Sequence, residues 1–448
     1  MRKTVSKRVR WKGFSSPQVI ISGFLLIVLL GAALLCLPVS SADRSFTRFS
    51  DALFTSVSAV CVTGLVTVDT ATHWSLFGQM MILLLIQTGG MGVVTIAVAA
   101  AKLSGKRIGL RQRSTMMESI SAPQVGGIVK MTGFILKTSA VIEGAGAVLL
   151  CPVFIRDLGV LRGIWYSVFH SVSAFCNAGF DLFGVRSPFS SLTSYHDNGY
   201  VCAVVMILII SGGISFMTWD DMRRFGLRLK KYSVQSKIIL VTSAALIVLP
   251  AAAFFFTEYR SEPFGARLLH SLFQSVTSRT AGFNTTDLSA MTGPGKMLMT
   301  ALMLVGGSPG STAGGMKTTT LAVLLIAAVS VIRRCDDAEA FGRRIPESAV
   351  RNAGAILFIY LFLFTSSAAA ISLIEGLPLS DCLFETGSAV GTVGLTLGLT
   401  PSLSTVSHVI LMALMFLGRV GVLTLIYAAL PSGTDTDSRL PMEKISIG

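Results

Sequence analysis

The chain has 448 residues, of which 52% are hydrophobic and only 13% are charged. Soluble proteins carry about 25% charged residues, so this composition excludes a disordered chain and argues against a soluble enzyme. The net charge of +14 falls in short segments between apolar runs, a pattern typical of a multi-pass membrane protein rather than of a protein that binds nucleic acid.

Eight apolar stretches are long enough to cross about 30 Å of hydrocarbon. They lie at roughly 17–38, 75–101, 129–154, 199–219, 236–257, 297–332, 352–374 and 404–430. The loops after the second, fourth and sixth stretches are rich in Lys and Arg, and they cover 102–113, 223–237 and 333–351. Together with the basic N-terminal tail, they place both termini on the cytoplasmic side.

A fourfold repeat follows the odd-numbered stretches. Each copy has a Phe, a Ser/Thr-rich helical turn and a Gly followed by Leu or Phe, and the copies lie at 54–69, 169–184, 273–288 and 384–399. The amphipathic stretch of about ten residues before each Gly is too short to span a membrane, which predicts a re-entrant half-helix. The predicted repeats are 1–113, 114–234, 235–345 and 346–448.

The predicted fold is an all-α membrane protein with four parallel span–pore-helix–span repeats. It has eight transmembrane helices and four re-entrant half-helices around one pseudo-fourfold pore. Non-helical backbone inside a membrane is tolerated only where protein or water surrounds it. Four such segments around one axis would let their carbonyl oxygens replace the hydration shell of a cation. The candidate ion-binding residues are Val62, Thr63, Gly64, Asn177, Ala178, Gly179, Thr280, Ala281, Gly282, Thr392, Val393 and Gly394.

Other classes of membrane protein fit these residues less well. A single glycine would favour simple helix packing, but four copies in matching positions argue against it. An inverted-repeat transporter needs repeats of opposite topology, whereas every repeat here begins on the same side. A solute carrier needs polar side chains at the midplane, and an enzyme needs clustered titratable groups inside the spans, where only Glu143 qualifies.

The sixth apolar stretch is interrupted by GGSPGSTAGGMKTTT at 306–320. A helix break at this depth is expected to line a cavity beneath the pore, and it contains Gly306, Gly307, Gly310, Gly314, Gly315 and Lys317. Met316 separates the glycines from Lys317, so the spacing of a nucleotide-binding P-loop fails.

Two arginines and one glutamate are further candidates. Arg419, in the last span, is expected either to form a positive barrier below the pore or to pair structurally with Glu385 or a helix carbonyl. The candidate ion-binding residues would form the selectivity filter of the pore. Arg279 is expected to brace a neighbouring filter loop, and Glu385 is a second candidate for filter support. The glycine motifs at 87–92, 211–216 and 418–421 are expected to allow close helix approach or a bend.

At these residues the sequence resembles the Trk/Ktr/HKT superfamily of potassium transporters, and in particular the membrane subunits of Ktr systems. The resemblance covers essentially the whole chain. It rests on VTGL at 62–65, NAGF at 177–180, RTAGF at 279–283, GTVGLT at 391–396 and the ending RLPMEKISIG. Cys61 and Cys176 depart from the family, where Thr or Asn is more usual.

The resemblance implies a function and several partners. It implies potassium uptake across a bacterial cell (inner) membrane, with K+ as the transported ion, Na+ as a possible activator, no covalent catalysis and no bound cofactor. A Gly in all four loops is the pattern that the family associates with preference for potassium over sodium. The segment 306–317 and Arg419 would form the gate.

The implied partners are a ring of KtrA-like cytoplasmic nucleotide-binding regulatory subunits and a second copy of the chain in a homodimer. The basic loops would dock the regulatory ring or contact membrane lipid, two compatible alternatives.

Overall fold

The computed structural model describes residues 15–104, 108–120 and 126–429. The basic N-terminal tail and the ending RLPMEKISIG lie outside these residues, and so do the predictions made on them. Within the described residues the protein is mostly helical, with one hairpin of two strands of two residues each.

The helices fall into four consecutive groups along the chain. The first group contains α1 (Ser16–Leu35), α2 (Phe49–Cys61), α3 (Thr70–His73), α4 (Leu76–Met91), α5 (Val93–Leu103) and α6 (Leu110–Ser119). The second contains α7 (Ile128–Leu158), α8 (Val160–Cys176), α9 (Gly199–Gly213) and α10 (Phe216–Phe225). The third contains α11 (Val234–Thr257), α12 (Phe264–Thr277), α13 (Gly293–Met303), α14 (Thr318–Ile332) and the hairpin β1 (Glu339–Ala340) and β2 (Arg343–Arg344). The fourth contains α15 (Glu347–Glu375), α16 (Leu379–Gly391), α17 (Thr405–Val420) and α18 (Val422–Ala429).

The first helix of each group is long and apolar enough to cross a membrane: α1, α7, α11 and α15. Their outward faces carry exposed aliphatic side chains, such as Leu26 on α1 and Leu249 on α11. A helix that is apolar on its exposed face needs lipid rather than water around it.

The last part of each group is a broken helix. The pairs α4–α5, α9–α10 and α17–α18 bend by 97°, 97° and 94°. The first and third bends fall at Gly92 and Gly421, whose positive φ angles of 85° and 91° suit glycine. In the third group, α13 and α14 flank the segment 304–317, in agreement with the predicted interruption.

These bends differ from the continuous spans predicted over 75–101, 199–219 and 404–430. Each stretch turns by more than 90° at its glycine motif, so its second half does not continue along the first. Within the described residues, the four long helices and the three broken pairs give seven candidate spans, and the α13–α14 unit adds an eighth.

A shorter helix lies between the two spans of each group. These helices, α2, α8, α12 and α16, have 13 to 17 residues, and each packs against the first helix of its own group. The repeated Phe of each is at most 1% exposed: Phe54, Phe169, Phe273 and Phe384. The all-α membrane fold predicted from the sequence is confirmed.

Candidate ion-conducting site

In each repeat the chain adopts the same unusual backbone conformation at the end of the short helix or, in the third repeat, three residues after it. The residue two positions before the repeated glycine adopts left-handed φ angles of 58°, 58°, 69° and 51° at Val62, Asn177, Thr280 and Thr392. The glycines that follow have φ angles of 94°, 70°, 76° and 93° at Gly64, Gly179, Gly282 and Gly394. Because left-handed φ costs a non-glycine residue energy, four matched occurrences indicate a conformation imposed by the surrounding fold.

The four glycines form a closed ring. A Cβ atom placed on each glycine would meet the carbonyl oxygen of the residue just before the glycine of the next repeat. The glycine and the carbonyl that it faces are Gly64 and Ala178, Gly179 and Ala281, Gly282 and Val393, and Gly394 and Thr63. The four segments therefore surround one axis in chain order, with peptide oxygens facing their neighbours.

Hydroxyl groups of the short helices hold these segments in place, in two alternating ways. In the first and fourth repeats, the amides of Gly64 and Gly394 donate to Ser58 and Ser388 at 3.0 Å. In the second and third repeats, hydroxyls donate to the carbonyl after the glycine, from Ser173 to Phe180 at 2.7 Å and from Thr277 to Phe283 at 2.5 Å. The Ser/Thr-rich turn of each repeat therefore fixes the direction of its loop.

The ring suits a dehydrated cation. The short helices point their C-terminal ends, which carry partial negative charge, toward the ring. The buried hydroxyls of Thr63, Thr280 and Thr392 have no hydrogen-bond partner in the described part of the chain. Unsatisfied oxygens together with clustered carbonyls are the ligand type that alkali cations prefer.

An acidic vestibule of about 230 Å³ lies on one side of the ring. It is lined by the four glycines and by Asp69, Asp181 and Asp287. Ser289 donates its amide and hydroxyl to Asp287 at 2.9 and 2.7 Å, and these bonds hold the pKa of Asp287 below its usual value. Asp287 therefore stays ionised at neutral pH and attracts cations to the vestibule.

Asp287→Asn is expected to weaken the apparent affinity for the transported cation about twofold at low ionic strength, since a unit charge roughly 10 Å away in water contributes about 0.4 kcal/mol. The effect should shrink in 0.1 M salt, where the Debye length is about 10 Å. Flux into proteoliposomes at increasing cation concentration measures it. Asp43→Asn is the matched control, because Asp43 accepts the same pair of bonds from Ser45 but does not line the vestibule. An equal effect of both variants on the apparent affinity would show that Asp287 does not attract cations to the vestibule.

The segment 306–317 lies against the other side of the ring. The hydroxyl of Thr312 is 3.1 Å from the side-chain amide of Asn177 and donates to the carbonyl of Phe175 at 2.9 Å. A Cβ on Gly314 would collide with the side chain of Thr392. The segment thus contacts the second and fourth loops, at the left-handed residue of each.

Backbone hydrogen bonds anchor this segment to the neighbouring helices. The amides of Ser308 and Thr312 donate to Gly213 and Gly212 of α9 at 3.0 and 3.1 Å. The amide of Phe216, the first residue of α10, donates to Gly310 at 2.8 Å. At the other end, Gly315 donates to Gly418 of α17 at 3.2 Å. The positions of α9, α10 and α17 are therefore coupled to this segment.

Arg419 binds the segment directly. Its guanidinium donates to the carbonyls of Thr312, Gly89 and Gly90, the last at 2.9 Å. Its side chain therefore joins α17, α4 and the loop beneath the ring. The sequence left open whether Arg419 pairs with Glu385 or with a helix carbonyl. In the structure Arg419 bonds to carbonyl oxygens and does not pair with Glu385.

Lys317 lies at the end of the same segment, and its ammonium donates to the carbonyls of Ala313 and Gly314 at 2.8 and 3.4 Å. A cavity of about 300 Å³ lies beneath, lined by Lys317, Arg419 and Glu118 among others. Two cationic side chains, those of Lys317 and Arg419, thus line this cavity together with residues of the segment 306–317.

The two residues predicted to support the loops differ in their partners. Glu385 is 1% exposed and accepts from Thr396 at 2.6 Å, from the amide of Leu397 at 2.9 Å and from Thr400 at 2.6 Å. It therefore fixes the chain just after Gly394. Arg279 reaches the carbonyl and hydroxyl of Ser243 on α11, both at 3.4 Å, rather than a neighbouring filter loop as expected.

Glu385→Ala is expected to lower the free energy of unfolding by roughly 3 kcal/mol, because it leaves the buried hydroxyl of Thr400, the partly buried hydroxyl of Thr396 and an amide without their acceptor. Thermal unfolding in detergent measures the change. Glu375→Ala is the control, since Glu375 also accepts from a serine amide and two hydroxyls, of Ser404 and Ser407, but in a more exposed position. Equal losses in both variants would contradict the buried role of Glu385.

The sequence left open whether Glu143 pairs with another helix or lines a cytoplasmic vestibule, and in the structure it pairs with another helix behind the second loop. The carboxylate of Glu143 accepts from the side-chain amide of Gln87 at 3.0 Å, and the thiol of Cys176 is 3.6 Å from the Gln87 carbonyl oxygen. Gln87 precedes the QTGGMG glycines, but its partners lie 56 and 89 residues away. No local pattern in the sequence pairs them.

The glycine motifs of the second spans allow close packing. A Cβ on Gly89, Gly212 or Gly418 would collide with a backbone carbonyl four residues before the repeated glycine. Those carbonyls belong to Val60, Phe175 and Val390. Each span therefore contacts the end of its own short helix without an intervening side chain. This is the close helix approach that was one of the two alternatives predicted for these motifs.

Eight candidate spans and four re-entrant segments around one axis define a multi-pass membrane protein of the pore-loop class. A sequence profile of the TrkH family, described as a cation transport protein, matches residues 18–437. The chain belongs to this family, whose members are transporters and not enzymes.

Named relatives cover nearly the whole chain. It is 40% identical to the potassium/sodium uptake protein NtpJ of Enterococcus hirae, over 99% of both chains. It is 37% identical to the Ktr system potassium uptake protein B of Bacillus subtilis, over 94% of both chains. The crystal structure of the potassium transporter TrkH from Vibrio parahaemolyticus superposes with a TM-score of 0.72 at 19% identity, covering 95% of this chain and 87% of that one. This last similarity concerns the fold alone.

Proposed function

We propose that this protein takes up potassium across the bacterial cell membrane, through a selectivity filter made of residues 62–64, 177–179, 280–282 and 392–394. The observation that carries the proposal is the closed ring in which each repeated glycine faces the carbonyl of the next repeat. A ring of peptide oxygens selects a weakly hydrated cation without any side-chain charge. The names of the relatives support the choice of ion, since one is a potassium uptake protein and the other a potassium/sodium uptake protein.

The proposed gate is the segment 306–317 together with Arg419. Its support is the position of the segment against Asn177 and Thr392, with Arg419 bonded to Thr312. A permeating cation meets both a peptide obstruction and a fixed positive charge there. Conduction therefore requires the segment to move and Arg419 to release its carbonyl partners, and no covalent step is involved.

A regulatory partner is part of the proposal. The described loops between spans contain no soluble domain that could move the gate. The relative of Bacillus subtilis is named as one component of a system, which supports a separate regulatory subunit. We infer that a ring of cytoplasmic KtrA-like nucleotide-binding subunits docks on the basic face. We also infer a homodimer of this chain with both termini in the cytoplasm. The four repeats have the boundaries predicted from the sequence. The proposal that sodium activates uptake rests only on the family resemblance.

Uptake of labelled rubidium by a host that lacks its own potassium uptake tests the function. Expression of this chain with a KtrA-like partner is expected to restore rubidium uptake and growth at low potassium. The same cells without the chain are the control. Absence of uptake with and without the partner, in cells where the chain is present in the membrane, would overturn the proposed function.

A further inference from the structure

A basic groove lies between α7 and α10, away from the axis of the ring. It encloses about 610 Å³ and is lined by Lys130 and Lys137 of α7 and by Arg223 and Arg224 of α10. All four side chains are exposed. None of them belongs to the four glycine loops or to the gate, and Arg223 and Arg224 are the first two residues of the basic segment 223–237.

The groove carries an excess of positive charge. Asp220 is the one carboxylate in its lining, and it pairs with Arg224 at 2.5 Å and with Arg223 at 3.8 Å. Within the described residues, neither Lys130 nor Lys137 has a carboxylate within 4.0 Å. Four cations and one carboxylate leave three positive charges, so the groove is complementary to an anionic ligand.

The position of the groove selects the kind of anion. Lys130 and Lys137 are seven residues apart on α7, so they share a face and are separated by about 10 Å along the axis. Val141, four residues further on, is 61% exposed on the face that meets lipid. Lys137 therefore lies beside the lipid-facing part of α7, where its ammonium can reach the headgroup of a neighbouring lipid.

α10 supplies the other wall of the groove. It turns by 97° from the spanning helix α9, so it runs roughly along the membrane plane. Phe134 of α7 lies 4.9 Å from the Arg223 guanidinium and holds it over the groove. Gly126, Gly127 and Gly133 have open space where side chains would be, which leaves room for a headgroup.

We propose that this groove binds the phosphate headgroup of an anionic phospholipid, with an acyl chain along the apolar face of α7. Lys130 and Lys137 contact the phosphate from α7, and Arg223 and Arg224 contact it from α10. The bound lipid ties α10 to α7. Since Phe216 of α10 donates to Gly310, lipid at this groove also steadies the segment 306–317.

Native mass spectrometry of the full chain in detergent tests the proposal, with phosphatidylglycerol and phosphatidylcholine of the same acyl chains titrated separately. Phosphatidylglycerol should bind saturably and more tightly than phosphatidylcholine. The variant Lys130→Gln/Lys137→Gln should bind it roughly thirtyfold more weakly, since each basic residue near the surface contributes about 1 kcal/mol. The control Arg228→Gln/Lys231→Gln removes two exposed charges outside the groove and should bind as the unchanged protein does.

Three results would overturn the proposal. The first is equal phosphatidylglycerol binding by both double variants. The second is displacement of the lipid by millimolar inorganic phosphate, which would identify a site for a free anion. The third is unchanged lipid binding by Lys130→Gln/Lys137→Gln with loss of a KtrA-like subunit, which would assign the groove to a protein partner. Size-exclusion profiles and unfolding temperatures establish that each variant is folded.

Discussion

Gly64→Ser is expected to reduce the discrimination of potassium over sodium by about tenfold or more, equivalent to about 1.4 kcal/mol. Gly64 has a φ of 94°, and a Cβ there would collide with the carbonyl oxygen of Ala178 in the next repeat. Either that carbonyl moves off its position or the Gly64 segment withdraws from the ring. In both cases one quarter of the ligand ring loses its spacing, and a smaller, more strongly hydrated ion is less well excluded.

Gly398→Ser is the matched control for this substitution. Gly398 has a φ of 90°, so serine there meets the same backbone strain, but nothing lies within 4 Å of its Cβ position. Competition of sodium with rubidium uptake in proteoliposomes compares the two variants. Selectivity that is unchanged in Gly64→Ser, or lost equally in Gly398→Ser, would contradict the assignment of Gly64 to the filter.

Deletion of residues 309–315 is expected to raise flux without the regulatory partner by roughly tenfold to a hundredfold. The deletion removes Thr312 and with it the carbonyl that accepts from Arg419, a bond to a charged group that contributes about 1.5 to 3 kcal/mol. It also removes the contacts with Asn177 and Thr392 beneath the ring. The flanking residues can be rejoined, since Gly306 already donates to Met316 at 2.7 Å.

Ser311→Ala is the control within the same segment, because the hydroxyl of Ser311 donates only to Ser308 inside the loop at 2.7 Å. It should leave flux unchanged. Rubidium flux into proteoliposomes that contain the chain alone is the measurement. A deletion variant that is folded and elutes normally, yet conducts no faster than the unchanged protein, would show that the segment does not limit flux.

The fold was predictable because its signals are local and repeated. Apolar stretches of sufficient length predicted the spans, and four matching glycines predicted the re-entrant loops. The bends at Gly92 and Gly421 were predicted only as one of two alternatives for the glycine motifs, the other being close helix approach. Both close packing and bending use glycine, and the sequence carries no sign that separates them.

The contacts of the charged residues were much less predictable. Arg419 bonds to Gly89, which lies 330 residues earlier, and Arg279 turns to Ser243 instead of to a neighbouring loop. Glu143 of α7 accepts a hydrogen bond from Gln87 of α4. A charge inside a span must find a partner, but which carbonyl or amide it finds depends on tertiary packing that no short pattern encodes.

Electron density for a heavy alkali cation tests the central claim most directly. A crystal structure grown in rubidium, with data collected at its absorption edge, should show an anomalous peak on the axis of the ring. The account predicts that this peak lies within coordinating distance of the carbonyl oxygens of Thr63, Ala178, Ala281 and Val393. Loops that stand apart from one another, or a peak held by side chains elsewhere in the protein, would contradict it.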